Sequence, residues 1–444
     1  MGARFFVPPR KNLKKPAVVI KSSSRSIVKN TENEVYILKE KLFAKIEELE
    51  PKMVQTLCDL VAIPAISPAD GGVGEFHKAE YLIKKLKELG LCDVSTYALP
   101  DPKAAGGERP NLVVRFPGRT KRRLWIVAHM DVVPEGERSL WHTDPFKAEI
   151  KDGRIYGRGT SDNGQELVAS LYALCALKEL GVTPEYEVCL AFVADEEMGS
   201  EYGICHLLKK GLFAGNDLVV VPDMGNENAD FVEVAEKSVC WMEFTVEGKQ
   251  VHGSTPHLGN NACRAANALS VALDEALHAA FPERDGLFDP PESTFEPTRR
   301  RANVANINTV PGREVFSFDC RVLPSVPLEE VTKIVDAEVK KAKEKFKVEI
   351  TCKFPQMEQA AAPTKESDDV VRTLLTALAE VYPGMKPKIG GVGGATCGAF
   401  FRPAGIPAAV WCQEIDCAHM PNEHIEIKHM LNEAKVFGLM MMGK

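Results

Sequence analysis

Two stretches decide the fold: Leu124-Trp125-Ile126-Val127-Ala128-His129-Met130-Asp131 and Val188-Cys189-Leu190-Ala191-Phe192-Val193-Ala194-Asp195-Glu196-Glu197. Each is a short apolar run that ends in imidazole or carboxylate. Runs of this length and composition read as strands buried on both faces. Residues 218–221 repeat the pattern into Pro222-Asp223, and residues 408–411 lead through a short loop to Asp416 and His419. Residues 112–116 form a further apolar run. Between them lie helices: 76–89, with Ala79, Leu82, Ile83, Leu86 and Leu89 on one face and Gly90 as its stop, and 165–180, ended by Gly181. Residues 35–62 read as two helical stretches divided at Pro51. Strands alternating with helices predict an α/β fold with a mainly parallel, buried sheet.

Residues 239–354 read differently. Mixed apolar and polar residues at 239–247 and 314–322 suit half-exposed strands. The expected order is strand 239–247, helix 260–279, strand 303–309, strand 314–322, helix 328–345, strand 347–353. That is the ferredoxin-like β-α-β-β-α-β motif, with Pro311-Gly312 as the turn between its middle strands and 281–300 as a surface loop. The expected division is a basic tail at 1–30, a discontinuous α/β domain at 31–236 and 355–444, and a smaller domain inserted at 237–354.

The chain has 444 residues, 45% apolar and 26% charged, a composition that supports a large core and excludes wholesale disorder. No stretch reaches the roughly 18 apolar residues of a membrane span. The net charge of −7 is uneven. Residues 1–30 hold eight Lys and Arg and no acid, which leaves 47 basic against 62 acidic residues, a balance of −15. A body that acidic repels a phosphate backbone, which argues against nucleic acid as a partner. The basic, serine-bearing first segment fits an organelle transit peptide and a disordered tail equally. Twelve scattered cysteines without a CxxC pair point to reduced thiols and a cytoplasmic protein.

The chemistry sits where the strands end. His129, Asp131, Glu196, Glu197, Asp223 and His419 all fall just past apolar runs, the edge where ligands bind in open α/β sheets. Asp162 falls in the glycine-rich Gly157-Arg158-Gly159-Thr160-Ser161-Asp162-Asn163-Gly164 segment. Carboxylates packed together repel one another unless a cation joins them. Imidazole and carboxylate without thiolate suit zinc, cobalt or manganese.

These residues resemble the dinuclear-zinc amidohydrolases that include acetylornithine deacetylase, succinyl-diaminopimelate desuccinylase, aminoacylase, carnosine-type dipeptidases and glutamate carboxypeptidase. The resemblance covers residues 50–435 and rests on His129-Met130-Asp131-Val132-Val133-Pro134, Trp141 to Asp144-Pro145-Phe146, and Asp152-Gly153 through Tyr156-Gly157-Arg158-Gly159 to Asp162. It continues through Asp195-Glu196-Glu197-Met198-Gly199-Ser200, Asp223, Gly248-Lys249-Gln250-Val251-His252 and Gly259-Asn260-Asn261-Ala262. Asn308-Thr309-Val310-Pro311, Asp319-Cys320-Arg321 and Ala418-His419 complete it.

The resemblance implies two divalent ions, zinc first, with cobalt or manganese as alternatives. Asp162 would bridge them, His129 and Asp223 completing one site, Glu197 and His419 the other. Asp131 would accept the second N–H of His129, and Glu196 would be the general base. His252 would stabilise the oxyanion, in relatives from the other subunit of a dimer. Asn308 and Arg321 would hold the substrate carboxylate, and the 390–394 run, with Gly393 and Gly394, would line its pocket. A cis Asp162–Asn163 bond is also implied. The implied activity is hydrolysis of N-acyl amino acids, of the desuccinylase or deacetylase type, or of small peptides by a homodimer without nucleic-acid or membrane partners. A dipeptidase or carboxypeptidase of the same family, a related dizinc aminopeptidase and a non-catalytic binding protein are the alternatives. Two departures stand out. Asn163-Gly164-Gln165 replaces the second Asp and the Lys that many relatives carry, and Ala395-Thr396-Cys397 stands where some relatives have Asp or Ser. His142, His257 and His424 receive no role.

Overall fold

The computed structural model describes residues 23–444, with side chains from Tyr36 onward. Of the basic segment 1–30, residues 1–22 lie outside the described residues. Ser23 opens a single helix, Ser23–Val61, where two helices divided at Pro51 are expected. A proline forfeits one helical hydrogen bond and crowds the turn before it. Here Leu42, Ile46, Leu49, Met53, Leu57 and Leu60 form one continuous buried stripe, and Pro51 lies exposed on another face. Packing of that stripe against the helices Gln165–Glu179 and Ile427–Met441 outweighs the lost bond.

The main sheet has eight strands among the described residues. Their order is Val94–Pro100, Glu108–Phe116, Glu187–Val193, Arg123–His129, Leu218–Gly225, Ala408–Cys412, Phe231–Glu236, Lys388–Val392. Its four central strands, from Glu187–Val193 to Ala408–Cys412, are mutually parallel, as are the last two. The Val94–Pro100 edge is antiparallel. Side chains alternate across the sheet. Leu124, Ile126, Leu190, Phe192, Leu218 and Val220 join the cluster under the long helices. Trp125, Val127, Cys189, Ala191, Val219 and Val221 join a second cluster with Ile204, Leu207 and Phe401 on the opposite face. Both faces are covered, so the only polar exit from the central strands is at their ends. His129 pairs in register with Val193, which sets the imidazole beside the turn holding Glu196 and Glu197.

A second, antiparallel sheet has the order Thr294–Arg300, Arg313–Val322, Ser238–Glu247, Glu349–Glu358. The helices Ala262–Ala280 and Leu328–Phe346 cover one face and share a core with Phe244, Phe295, Phe316 and Phe318. This is the ferredoxin-like arrangement with one correction. Its second strand is Thr294–Arg300, inside the expected loop, and not 303–309, of which only Thr309 pairs, in the two-residue strand Thr309–Val310 beside Val251–His252. Thr294–Arg300 is an edge strand that bulges between Pro297 and Arg299, the setting in which a sheet tolerates proline. The last strand also passes the expected boundary at 354, through a bulge between Lys353 and Gln356.

Candidate metal centre

His129 is the last residue of its strand and is buried. Its Nε2 lies 2.7 Å from Asp162 Oδ1 and 3.3 Å from Asp223 Oδ1. Asp162 turns its other oxygen, Oδ2, to His419 Nε2 at 3.0 Å. That same Nε2 is 3.0 Å from Glu197 Oε2. One carboxylate thus stands between two imidazoles, with a further carboxylate beside each. The ligand atoms of His129, Asp162 and Glu197 lie within 4.8 Å of one another, as do those of His129, Glu196 and Asp223. Nitrogen and oxygen donors without thiolate at this spacing fit the two divalent ions that the resemblance implies.

The electrostatics fit a cation as well. Burial pushes the Glu197 carboxyl up to about 7, with Asp162 adding to the shift. Burial and then Asp223 push Glu196 well above the usual carboxylate range. Burial disfavours a charged His129, but Asp223 and Asp162 overcome it and hold the imidazole well above its usual value. Hydrogen bonds to Asp162 and then Glu197 hold His419 at about 10. Protons and a cation would compete for the same carboxylates and imidazoles.

Each side chain is fixed by its local chain. Asp162 lies in the Thr160–Gly164 turn ahead of the Gln165–Glu179 helix, and the Asp162–Asn163 peptide bond is cis, as the resemblance implies. Glu423 Oε1 accepts the N–H groups of Ser161 and Asp162 at 2.9 and 3.1 Å, and Arg158 pairs with the other oxygen of Glu423. Asn163 donates to Pro222 O at 2.6 Å and to Asp223 Oδ1 at 2.9 Å. The Asp131 carboxylate accepts the N–H groups of Glu196 and Glu197, both at 3.1 Å. Its backbone carbonyl lies closer to His129 Nδ1, 3.0 Å against 3.5 Å for Oδ1, so the N–H expected at the carboxylate goes to the main chain. Arg109, buried, pairs with Glu75 through two hydrogen bonds and lies 3.2 Å from Asp195.

The sequence reading passed over Glu423, Arg158, Glu75 and Arg109. Glu423 stands in Asn422-Glu423 just past His419, a signal within reach of the motif. Arg158 stands inside the glycine-rich 157–164 segment without an assigned role, and Glu75 and Arg109 carry no local signature. Gln165, one of the departures, joins two buried acids, donating at 3.0 Å to Glu166 and 2.9 Å to Glu433. Burial pushes both of these well above the usual carboxylate range.

A cavity of 730 Å³ opens beside these residues, lined by Asp162, Glu196, Glu197, Asp223 and His419 and extending to Thr396 and Phe400. His252 and Asn308 do not line it. The exposed His252 faces Ser254 Oγ at 2.7 Å, and the Asn308 carbonyl accepts the Gly253 N–H at 2.6 Å. Arg321 binds both oxygens of Asp319, at 2.7 and 3.1 Å, and donates to Gly393 O at 2.7 Å. Gly393 therefore presents its carbonyl to Arg321. Neither it nor Gly394 lines the cavity.

Comparison with known proteins places the site in a family. The profile of peptidase family M20/M25/M40 matches residues 125–443. An uncharacterized metallohydrolase of Methanococcus maripaludis is 37% identical over 406 residues, covering 86% of this chain and 97% of the relative. A succinyl-diaminopimelate desuccinylase of Caulobacter vibrioides is 28% identical over 354 residues, covering 77% and 83%. Among solved structures, an M20 family metallo-carboxypeptidase from Sulfolobus solfataricus superposes with a TM-score of 0.69 at 22% identity, covering 88% of this chain and 98% of the other. At that identity the likeness speaks for the fold.

Proposed function

The chain belongs to peptidase family M20/M25/M40, and from that membership we propose that this metallohydrolase cleaves the amide bond of small N-acyl amino acids or peptides. The observation that carries the reading is Asp162, one oxygen on each imidazole, with Glu196 beside the pair. His129, Asp162 and Asp223 would hold one divalent ion and His419, Asp162 and Glu197 the other, zinc being the first choice for this donor set. Bound ions would polarise the scissile carbonyl and lower the pKa of the attacking water.

The chain's own groups do the rest. Glu196 takes the water's proton as the C–O bond forms, then delivers it to the leaving nitrogen as the C–N bond breaks. Asp131 holds the turn that carries Glu196. Residues 31–236 and 355–444 supply this centre together with Gly393 and Gly394, and 237–354 act as the lid that brings His252 to the oxyanion and Asn308 and Arg321 to the substrate carboxylate. The exposure of His252 away from the cavity supports delivery by the lid of a second copy, hence a homodimer. Twelve free cysteines support a reducing, cytoplasmic setting. No helix of the described residues is long and apolar enough to cross a membrane.

The test is release of amine from N-succinyl, N-acetyl and dipeptide substrates by zinc- or cobalt-loaded protein, scored by kcat/KM. Turnover of at least one class that Glu196→Ala abolishes is expected. A metal-loaded, folded protein inactive on all three overturns the reading.

A further inference from the structure

Apart from the candidate metal centre, three chain segments bring together side chains that the proposed reaction does not use. Glu166 stands in the first turn of the Gln165–Glu179 helix, Glu433 in the middle of the Ile427–Met441 helix, and Cys412 at the end of the Ala408–Cys412 strand. One carboxylate oxygen of each acid and the sulfur of Cys412 lie within 4.8 Å of one another. Both acids are 0% exposed and Cys412 is 1% exposed. None of the three belongs to the sets of ligand atoms that gather around His129.

A second observation points to a ligand here. The pocket has too few hydrogens for its oxygens. Gln165 Nε2 carries two hydrogens and meets three acceptors: Glu166 Oε1 at 3.0 Å, Glu433 Oε1 at 2.9 Å and the Gln413 carbonyl at 2.9 Å. The Gln413 N–H goes to the same Glu433 Oε1, at 2.7 Å. The other oxygen of each acid, Oε2, is buried without a hydrogen-bond partner, and so is Gln165 Oε1. Buried polar atoms are paired almost everywhere in native proteins, so three at one place point to a group that accepts their lone pairs. Neither acid forms an ion pair among the described residues. The charges acting on Glu166 are Glu433, Glu414 and Asp223, all negative, and Cys412 meets the same sign. A proton on one acid would supply a single donor. A metal ion accepts several lone pairs at once, and carboxylate with thiolate is a donor set for zinc and its neighbours, not for calcium or magnesium.

We propose that Glu166, Glu433 and Cys412 hold a third divalent ion of the zinc class, separate from the two that Asp162 would bridge. The Cys412 thiol gives its proton to water as the metal–sulfur bond forms. The ion ties the start of one helix, the middle of another and the end of a strand. The Thr160–Gly164 turn with Asp162 runs directly into the first helix, and the loop to His419 leaves the end of the strand. It therefore braces both segments that carry the proposed active-site ligands. Its ligands are closed to solvent, the mark of a structural ion acquired on folding.

Cobalt makes the test selective. A thiolate ligand gives cobalt a near-ultraviolet charge-transfer band, and the centre around His129 and His419 contains no thiolate. The full chain is produced in zinc-depleted medium with cobalt, so that the metal is present as the chain folds. Three cobalt ions per chain by elemental analysis, together with the thiolate band, are expected. Dialysis of the folded protein against a chelator should strip the two ions that face the open cavity and leave one, with the band intact. Cys412→Ser and Glu433→Gln should each hold two ions, and Cys412→Ser should lose the band.

Two ions and no band in wild type overturn the proposal without any variant, and assign the orphaned oxygens to protons or internal water. A band that survives in folded Cys412→Ser overturns it as well, as do three ions in folded Glu433→Gln. One ion with the band upholds this site and counts against the pair at Asp162, so the two readings fail separately. Wild type that takes up no cobalt overturns both.

Discussion

Asp131 fixes Glu197 through the main chain: its Oδ2 accepts the Glu197 N–H at 3.1 Å, while Oδ1 accepts that of Glu196 at the same distance. The residue two places beyond one imidazole thus positions both acids of the opposite turn. Replacing it frees two N–H groups in a half-buried turn and loosens the proposed ligand Glu197 and the proposed base Glu196 together. Asp131→Ala is expected to lower kcat or zinc affinity by about 10–100-fold, the usual cost of losing such support. Asp131→Asn, which keeps one acceptor oxygen, should fall between. Zinc content and kcat measured on the same preparations check this. Unchanged values for both would show that the turn holds its shape without Asp131.

Glu196→Ala should retain zinc and lose about 10²–10⁴-fold in turnover, the range for removing a general base. Glu196 also lies near His129 and Asp223. A variant that loses metal would therefore assign Glu196 to the ligands and not to proton transfer.

Metal binding should release protons. Without metal, His419 is held at about 10 by Asp162 and Glu197, and His129 is held well above its usual value against its own burial. His419 is therefore protonated at pH 7, and a metal ion takes the neutral imidazole. Affinity should therefore rise with pH. Stability of the metal-free protein moves the other way. The folded pKa of His419 exceeds its unfolded value of ~6.5, so its contribution is complete below that value and is lost as pH rises through about 10. Calorimetric titration of zinc in buffers of different ionisation enthalpy counts the protons, and a count of zero would contradict the ion-paired imidazoles.

The strand-end acids were legible because a buried parallel sheet forces its strands to be apolar throughout. His129, Glu197 and Asp223 therefore stand out against their runs. The strand Thr294–Arg300 was hidden because only Phe295 of that run is buried, while Pro297 and the arginines after it read as loop. Pro51 misled because the sequence shows the missing N–H but not the neighbours that keep Leu49 and Met53 in one helix. The supports of the site were illegible for another reason. Glu75 and Arg109 lie 34 residues apart, and Arg158 and Glu423 lie 265 apart. No spacing rule joins them, and only the fold brings them together.

Arg109→Ala should destabilise the protein by about 3–5 kcal/mol, the cost of leaving a buried partner charge uncompensated. Glu75 and Asp195 would both lose the guanidinium. Burial already pushes each of these carboxyls upward. The Glu75 carboxylate also accepts the Asp195 N–H at 3.2 Å, so the Glu196 turn should loosen in the same variant. Denaturant unfolding of wild type and variant gives the difference. A change below ~1 kcal/mol would class the pair with surface ion pairs.

The last prediction concerns His252. In one chain it is exposed, its imidazole bonded to Ser254, and outside the cavity. Its short strand Val251–His252 pairs with Thr309–Val310, which sets Asn308 close by, so the two implied substrate contacts travel together on the lid. The antiparallel four-stranded sheet ends on the Thr294–Arg300 strand, whose outer edge is unpaired among the described residues. An open edge of this kind favours pairing with a symmetry mate. If each lid serves its partner's metals, His252→Ala protein lacks the oxyanion donor and Glu196→Ala protein lacks the base, and each alone is inactive. In the mixed dimer one site carries both lesions and the other carries neither. Subunit exchange should then restore up to about a quarter of wild-type activity at equal mixing, since half the dimers are mixed and each has one intact site. Sedimentation showing only monomer, with no recovery on mixing, would place the lid and the metals of each site in the same chain.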